Sequence, residues 1–157
     1  MTTLVEHVRA LIAFTIWSDD RILAAADGIS DEQYTQLREQ FEHMLGTRRY
    51  WYANWTGGTQ ETPDLGTLVE ARAAYTASND ALRTYMDALT AEEWHRAEQW
   101  WLRFGFQGRM ALGESITQLV YHGVQHRSEI AALLSQWGHS PGDMDYLTYV
   151  REASRPG

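Results

Sequence analysis

The 157-residue chain contains no cysteine. This absence excludes disulfides and excludes a protein thiol as a catalytic nucleophile. It also leaves nitrogen and oxygen atoms to hold any metal ion. A chain without disulfides is compatible with the cytoplasm, and a cytoplasmic protein is what we expect.

Proline is scarce, and so is positive charge. The three prolines, Pro63, Pro141 and Pro156, fall outside the segments with helical spacing, which favours long uninterrupted helices. Thirteen basic against 21 acidic residues give a formal net charge of −8, which disfavours binding to nucleic acid because phosphate neutralisation requires a basic face. No apolar run approaches the roughly 20 residues of a membrane span. The N-terminus lacks the pattern of a signal peptide.

Apolar residues recur at steps of three and four, which predicts four long helices. A single domain over residues 1–157 is expected: an all-α, four-helix bundle with a short extra C-terminal helix. The segment 99–113 combines aromatic residues with glycines and leaves a hairpin, a loop or a bulge open. The predicted helices run from about Thr3 to Ala26, from a cap at Ser30 to Gly57, from about Thr67 to Leu89, through Ile116 to Trp137, and from Asp143 to Val150.

Two of the six histidines, His122 and His126, lie four residues apart on the most regular predicted helix. Side chains at this spacing lie one turn apart on one face and can converge on a metal ion. His126 falls in the apolar seam between Gly123 and Ile130, where an unpaired imidazole is costly. Gly123 removes a side chain where a ligand needs access. The alternative interpretation is a solvent-facing pair or a hydrogen-bonded core histidine.

The segment around this pair resembles the signature of DinB/YfiT-like proteins, in which H-x-x-x-H-R is usually followed by Gly-Gln. Here Ser128-Glu129 replaces that dipeptide. Three other segments resemble the family: Phe14–Asp19, similar to an aromatic-x-x-Trp-x-Asn pattern; Phe41–Leu45 followed by Trp51; and Trp137-Gly138 followed by Pro141, Asp145 and Tyr149. Arg48 stands where many relatives have an acidic residue.

The resemblance implies a bundle with one divalent metal ion, zinc or nickel, held by His43, His122 and His126. The helical spacing alone places His43 beside its apolar stripe rather than on it, so this ligand depends on the resemblance. The family also implies transfer of a low-molecular-weight thiol to a small electrophile, or metal-dependent hydrolysis. A non-catalytic, stress-associated metal- or ligand-binding homodimer is the alternative. The partners expected are a small-molecule substrate and a second copy of the chain, with no nucleic acid and no membrane.

Four side chains are candidates for the surroundings of the ion. Trp17 and Trp51, together with Trp101, are predicted to wall a pocket or to pack in the core. Arg127 is predicted to bind an anionic substrate or to form a salt bridge with a carboxylate of the bundle. Glu129 is a candidate to move protons in a hydrolase.

Overall fold

The computed structural model describes residues 3–101 and 107–154, with the side chains of residues 97–101 and 107 outside the description. Within these residues, five α-helices and one two-stranded antiparallel hairpin follow one another along the chain. The elements are α1 (Leu4–Ala25), α2 (Asp31–Thr56), α3 (Leu68–Ala88), β1 (Ala97–Trp101), β2 (Gln107–Ala111), α4 (Leu112–Gln136) and α5 (Tyr146–Ala153). The helical bundle and its short C-terminal helix confirm the predicted fold class.

The helix boundaries follow local side-chain chemistry. Ser30 caps α2 by accepting the backbone N–H of Gln33, and the Gln33 side chain accepts the N–H of Ser30 in return. Thr67 makes the same reciprocal pair of bonds at α3. Gly57 ends α2 with a φ of 71°, a left-handed conformation that favours glycine. The sequence predicts all three boundaries.

Helix α1 packs against α3 and α4, and α2 packs against the same two helices. Helices α2 and α4 run antiparallel, because Trp55 at the end of α2 donates to Ser115 at the start of α4. The same arrangement brings the middle of α2, at His43, beside His122 and His126 in the middle of α4. The site therefore depends on the register between these two helices.

Among the residues that the structure describes, the interior contains two apolar clusters, one toward each end of the bundle. Between these clusters, four buried polar side chains, one from each long helix, are joined by hydrogen bonds. We call this set the polar layer: Asp19, Arg48, Asn79 and Arg127.

The segment left open as a hairpin, loop or bulge contains a hairpin, with Ala97 paired to Ala111. The hairpin adds strands to a bundle predicted to be all helical, and residues 102–106 between the strands lie outside the description. Helix α5 begins three residues later than predicted because Asp145, rather than Asp143, caps it by accepting the N–H of Thr148. Across the described residues, no helix combines the length and apolarity needed to cross a bilayer.

Candidate metal centre

Three histidines meet at the interface of α2 and α4. His43 comes from α2, while His122 and His126 lie one turn apart on α4. Nε2 of His122 is 3.1 Å from Nε2 of His43 and 3.2 Å from Nε2 of His126. One ring nitrogen from each residue lies within 4.8 Å of the other two, so the three side chains could hold a metal ion.

The spacing of these nitrogens fits a metal ion. Two ligand nitrogens at about 2.0–2.1 Å from a tetrahedral ion lie about 3.3 Å apart. The observed separations of 3.1 and 3.2 Å are close to that value without any rearrangement of the helices. Three protein ligands leave a fourth position of a tetrahedral ion for water or a substrate atom, as in catalytic zinc sites.

Glu129 orients one of the three rings. Its Oε2 lies 2.8 Å from Nδ1 of His126, one turn back on α4. A carboxylate only accepts hydrogen bonds, so Nδ1 carries the proton and Nε2 presents its lone pair to the other histidines. The hydrogen bond from His126 holds the pKa of Glu129 below its ordinary value. Metal-binding histidines are commonly held by such an outer carboxylate.

His122 is poised as a neutral ligand. Burial disfavours its charged form, and the nearby His126 and His43 add to the effect, so the pKa of His122 is lowered to about 4. At neutral pH the imidazole is therefore uncharged. It needs no proton release before a metal ion binds.

The centre lies at the surface edge of the bundle. His43 is exposed, and His122 and His126 are half-buried. The seam position predicted for His126 is wrong in this respect, because the fully buried residues of that stretch are Gly123, Arg127 and Ile130. Solvent can thus reach part of the centre.

Gly123 has a different role from the one predicted. A Cβ at this position would lie 2.8 Å from Nη1 of Arg127, so the missing side chain makes room for that guanidinium rather than for access to the metal. Arg127 is buried and bonds Oδ1 of Asp19 at 3.0 Å. Of the two roles considered for Arg127, the structure shows the salt bridge.

Among the contacts that the structure describes for Trp17 and Trp51, none involves one of the three histidines. The indole N–H of Trp17 donates to Glu152 on α5. Trp51 belongs to the apolar cluster of the other half of the bundle. It lies eight residues after His43, or about 12 Å along the helix axis. The side chain of Trp101 is outside the described residues.

The polar layer is the feature that the sequence analysis missed. Arg48 donates to Oδ2 of Asp19 at 2.5 Å and to Oδ1 of Asn79 at 2.6 Å, while Arg127 takes the other carboxylate oxygen of Asp19. The single carboxylate of Asp19 thus bonds both guanidinium groups. A signal was available, because each of these polar residues fills a gap in the apolar stripe of its own helix.

No curated protein matches the chain. A family model described as the DinB family matches residues 1–156, which is nearly the whole length. The chain therefore belongs to the DinB family.

Proposed function

We propose that this protein binds one divalent metal ion, zinc or nickel, through His43, His122 and His126 and transfers a small thiol to an electrophile. The observation that supports this most is the convergence of three Nε2 atoms on a solvent-reachable face. A divalent ion held by neutral imidazoles keeps its full charge and lowers the pKa of a coordinated thiol or water.

The chain's own residues support the thiol reaction in three ways. The histidines supply no negative charge, so the positive charge of the site is undiminished. Glu129 fixes the ring of His126 from its outer side. The chain has no cysteine, so no protein thiol competes with an external thiol for the site or for the electrophile.

Hydrolysis receives less support from the position of Glu129. A general base must lie within hydrogen-bond reach of the water that it activates. The carboxylate of Glu129 is bonded to Nδ1 of His126, on the side of the ring opposite Nε2. This position favours a role for Glu129 in orienting the His126 ring over a role in moving protons.

The proposal extends to assembly and location. Leu147 and Val150 lie one turn apart on α5, and these apolar residues are 75% and 39% exposed, which supports a homodimer interface. Sedimentation of wild type beside Leu147→Glu tests this. We expect a dimer for wild type and a monomer for the variant. A cytoplasmic location and a small-molecule substrate complete the proposal.

The activity test uses monochlorobimane as the electrophile with glutathione, cysteine and other low-molecular-weight thiols. Wild type loaded with zinc or nickel should form the fluorescent conjugate, and His126→Ala should not. His95→Ala is the matched control, because His95 is exposed on a separate turn and should leave the rate unchanged. Failure of every thiol to react, or full activity in His126→Ala, contradicts the transferase.

A further inference from the structure

The polar layer contains more positive than negative charge. Two guanidinium groups, Arg48 and Arg127, share the single carboxylate of Asp19, and each takes one of its oxygens. All three side chains are at most 3% exposed. Asn79 is neutral, and burial raises the pKa of the neighbouring Tyr75 so that its hydroxyl stays protonated. The layer therefore carries one excess positive charge in the interior, which is costly without a counter-charge.

One hydrogen-bond donor of this layer is unused. Among the described residues, Nη2 of Arg127 has no hydrogen-bond partner, although the atom is buried. Thr15, one turn before Asp19 on α1, has a second such atom in its hydroxyl oxygen. Buried polar atoms are satisfied in the great majority of cases, so an unpaired guanidinium N–H indicates a missing acceptor.

Arg127 also lines a cavity. A space of about 780 Å³ lies between α1, α4 and the segment leading into α5, and none of its lining residues belongs to α2. We call it the α1/α4 cavity. This volume is typical of sites for small organic ligands. Its lining is mainly apolar, with Leu11 and Phe14 on α1, Val124 on α4 and Met144 beyond α4, and includes none of the three histidines.

We propose that the α1/α4 cavity binds a small monocarboxylate with an apolar body. Nη2 of Arg127 is covered in the structure, and a small shift of the guanidinium toward the cavity lets the carboxylate accept its hydrogen bond. A single negative charge matches the excess charge of the polar layer, whereas a phosphate dianion would exceed it. The apolar lining suits a hydrocarbon or aromatic body. Asp145 at the rim does not supply the missing acceptor, because its carboxylate caps α5.

The site is separate from the proposed metal chemistry. Tyr121, Val124 and Ser128 line the cavity from one face of α4, while His122, His126 and Glu129 lie on another face toward α2. Binding of the carboxylate should therefore survive removal of metal. This property distinguishes failure of the present proposal from failure of the metal centre.

The test is calorimetric titration of the full chain, treated with a chelator, with octanoate, octan-1-ol and octylamine. These probes share one apolar chain and differ in the charge of the head group. We expect octanoate to bind with a stoichiometry of one and at least about tenfold more tightly than the other two, because hydrogen bonds to charged groups are the stronger class.

Two variants of one residue locate the site. Val124 lines the cavity and is 38% exposed, so a polar side chain at this position keeps contact with solvent. Val124→Glu places a negative charge in the cavity and should weaken octanoate binding at least about tenfold, because like charges repel at short range. Val124→Gln is matched in size and should change the affinity by less than about threefold.

A variant of the arginine itself adds a second test. Arg127→Lys keeps the charge but loses the planar fork of donors, and it should also weaken octanoate binding. The Val124 pair decides the matter if the lysine variant does not fold.

Four results would overturn the proposal. These are equal affinity for octanoate and octan-1-ol, absence of binding by octanoate, binding that disappears with the metal ion, and equal affinity in Val124→Glu and Val124→Gln. Sedimentation tests whether a second copy of the chain, instead of a small carboxylate, covers the cavity. If wild type is a dimer and Val124→Glu is a monomer, a second copy covers the cavity and the carboxylate site is wrong.

Discussion

At the residue scale, the carboxylate of Glu129 lies on the outer side of the His126 ring and fixes which nitrogen faces the centre. In Glu129→Gln the amide oxygen can still accept the hydrogen bond but carries no charge. We expect the zinc affinity to fall about tenfold, within the range for outer partners of metal-binding histidines. Competition with a chromogenic chelator measures this. Glu32→Gln, at an exposed glutamate in the first turn of α2, is the control and should bind zinc as wild type does. Equal affinity of the two variants would rule out a role for Glu129 in orienting His126.

The carboxylate of Asp19 is the only negative group in the polar layer as the structure describes it, and it bonds both guanidinium groups. Asp19→Asn should lower the free energy of unfolding by about 3–5 kcal/mol, because it leaves two buried cations without their counter-charge. Urea denaturation measures this. Asp20→Asn alters the exposed neighbour and should change stability by less than about 0.5 kcal/mol. A loss in Asp19→Asn no greater than in Asp20→Asn would show that the layer does not depend on this carboxylate.

At the element scale, two glycines inside long helices should respond oppositely to alanine. In α2, a Cβ at Gly46 would meet Pro63 at 3.5 Å, an ordinary contact, so Gly46→Ala should stabilise the protein by about 0.5–1 kcal/mol through helix propensity. In α4, a Cβ at Gly123 would press on the buried guanidinium of Arg127, so Gly123→Ala should destabilise it by about 1–3 kcal/mol. Thermal unfolding of both variants measures the difference. The same sign of change in both would contradict the role assigned to Gly123.

The helices and their caps could be predicted because the signals are local. Ser30 and Gln33 make a capping box whatever surrounds them, and Gly57 ends a helix by its own conformational freedom. The pairing of β1 with β2 could not be decided, since it depends on contacts between residues distant in sequence. Helical periodicity shows on which face of its own helix a side chain lies, but it does not show which other helix packs against that face. For this reason His122 and His126 could be paired by spacing, whereas His43 required the family resemblance.

The polar layer is a second feature that depends on contacts between helices, which periodicity does not predict. Asp19, Arg48 and Arg127 each occupy a gap in an apolar stripe, which a helical wheel can register. These polar residues lie at the same level of the bundle only because of how the four helices are aligned with one another. The apolar stripe of a single helix does not contain that information. The sequence alone therefore leaves both ligand binding and a salt bridge open for Arg127, and only the structure shows its contact with Asp19.

At the scale of the whole molecule, the titration of His122 predicts a stability change in mild acid. Its pKa is about 4 in the folded protein against 6.5 for an ordinary histidine, because burial and two neighbouring imidazoles disfavour the charge. The unfolded chain therefore takes up this proton first, and stability falls as the pH drops from about 6.5 toward 4. Urea midpoints of the metal-free protein should decline over this window, and His122→Ala should decline less. A wild-type midpoint that is constant over the window would contradict the assignment.

We infer that three histidines from two helices hold one divalent ion. Metal analysis by mass spectrometry of purified wild type, His43→Ala, His126→Ala and His95→Ala tests it most directly. We expect about one zinc or nickel ion per chain in wild type and in His95→Ala, and almost none in the other two, because two imidazoles bind far more weakly than three. Stoichiometric metal in both His43→Ala and His126→Ala would show that the centre lies elsewhere.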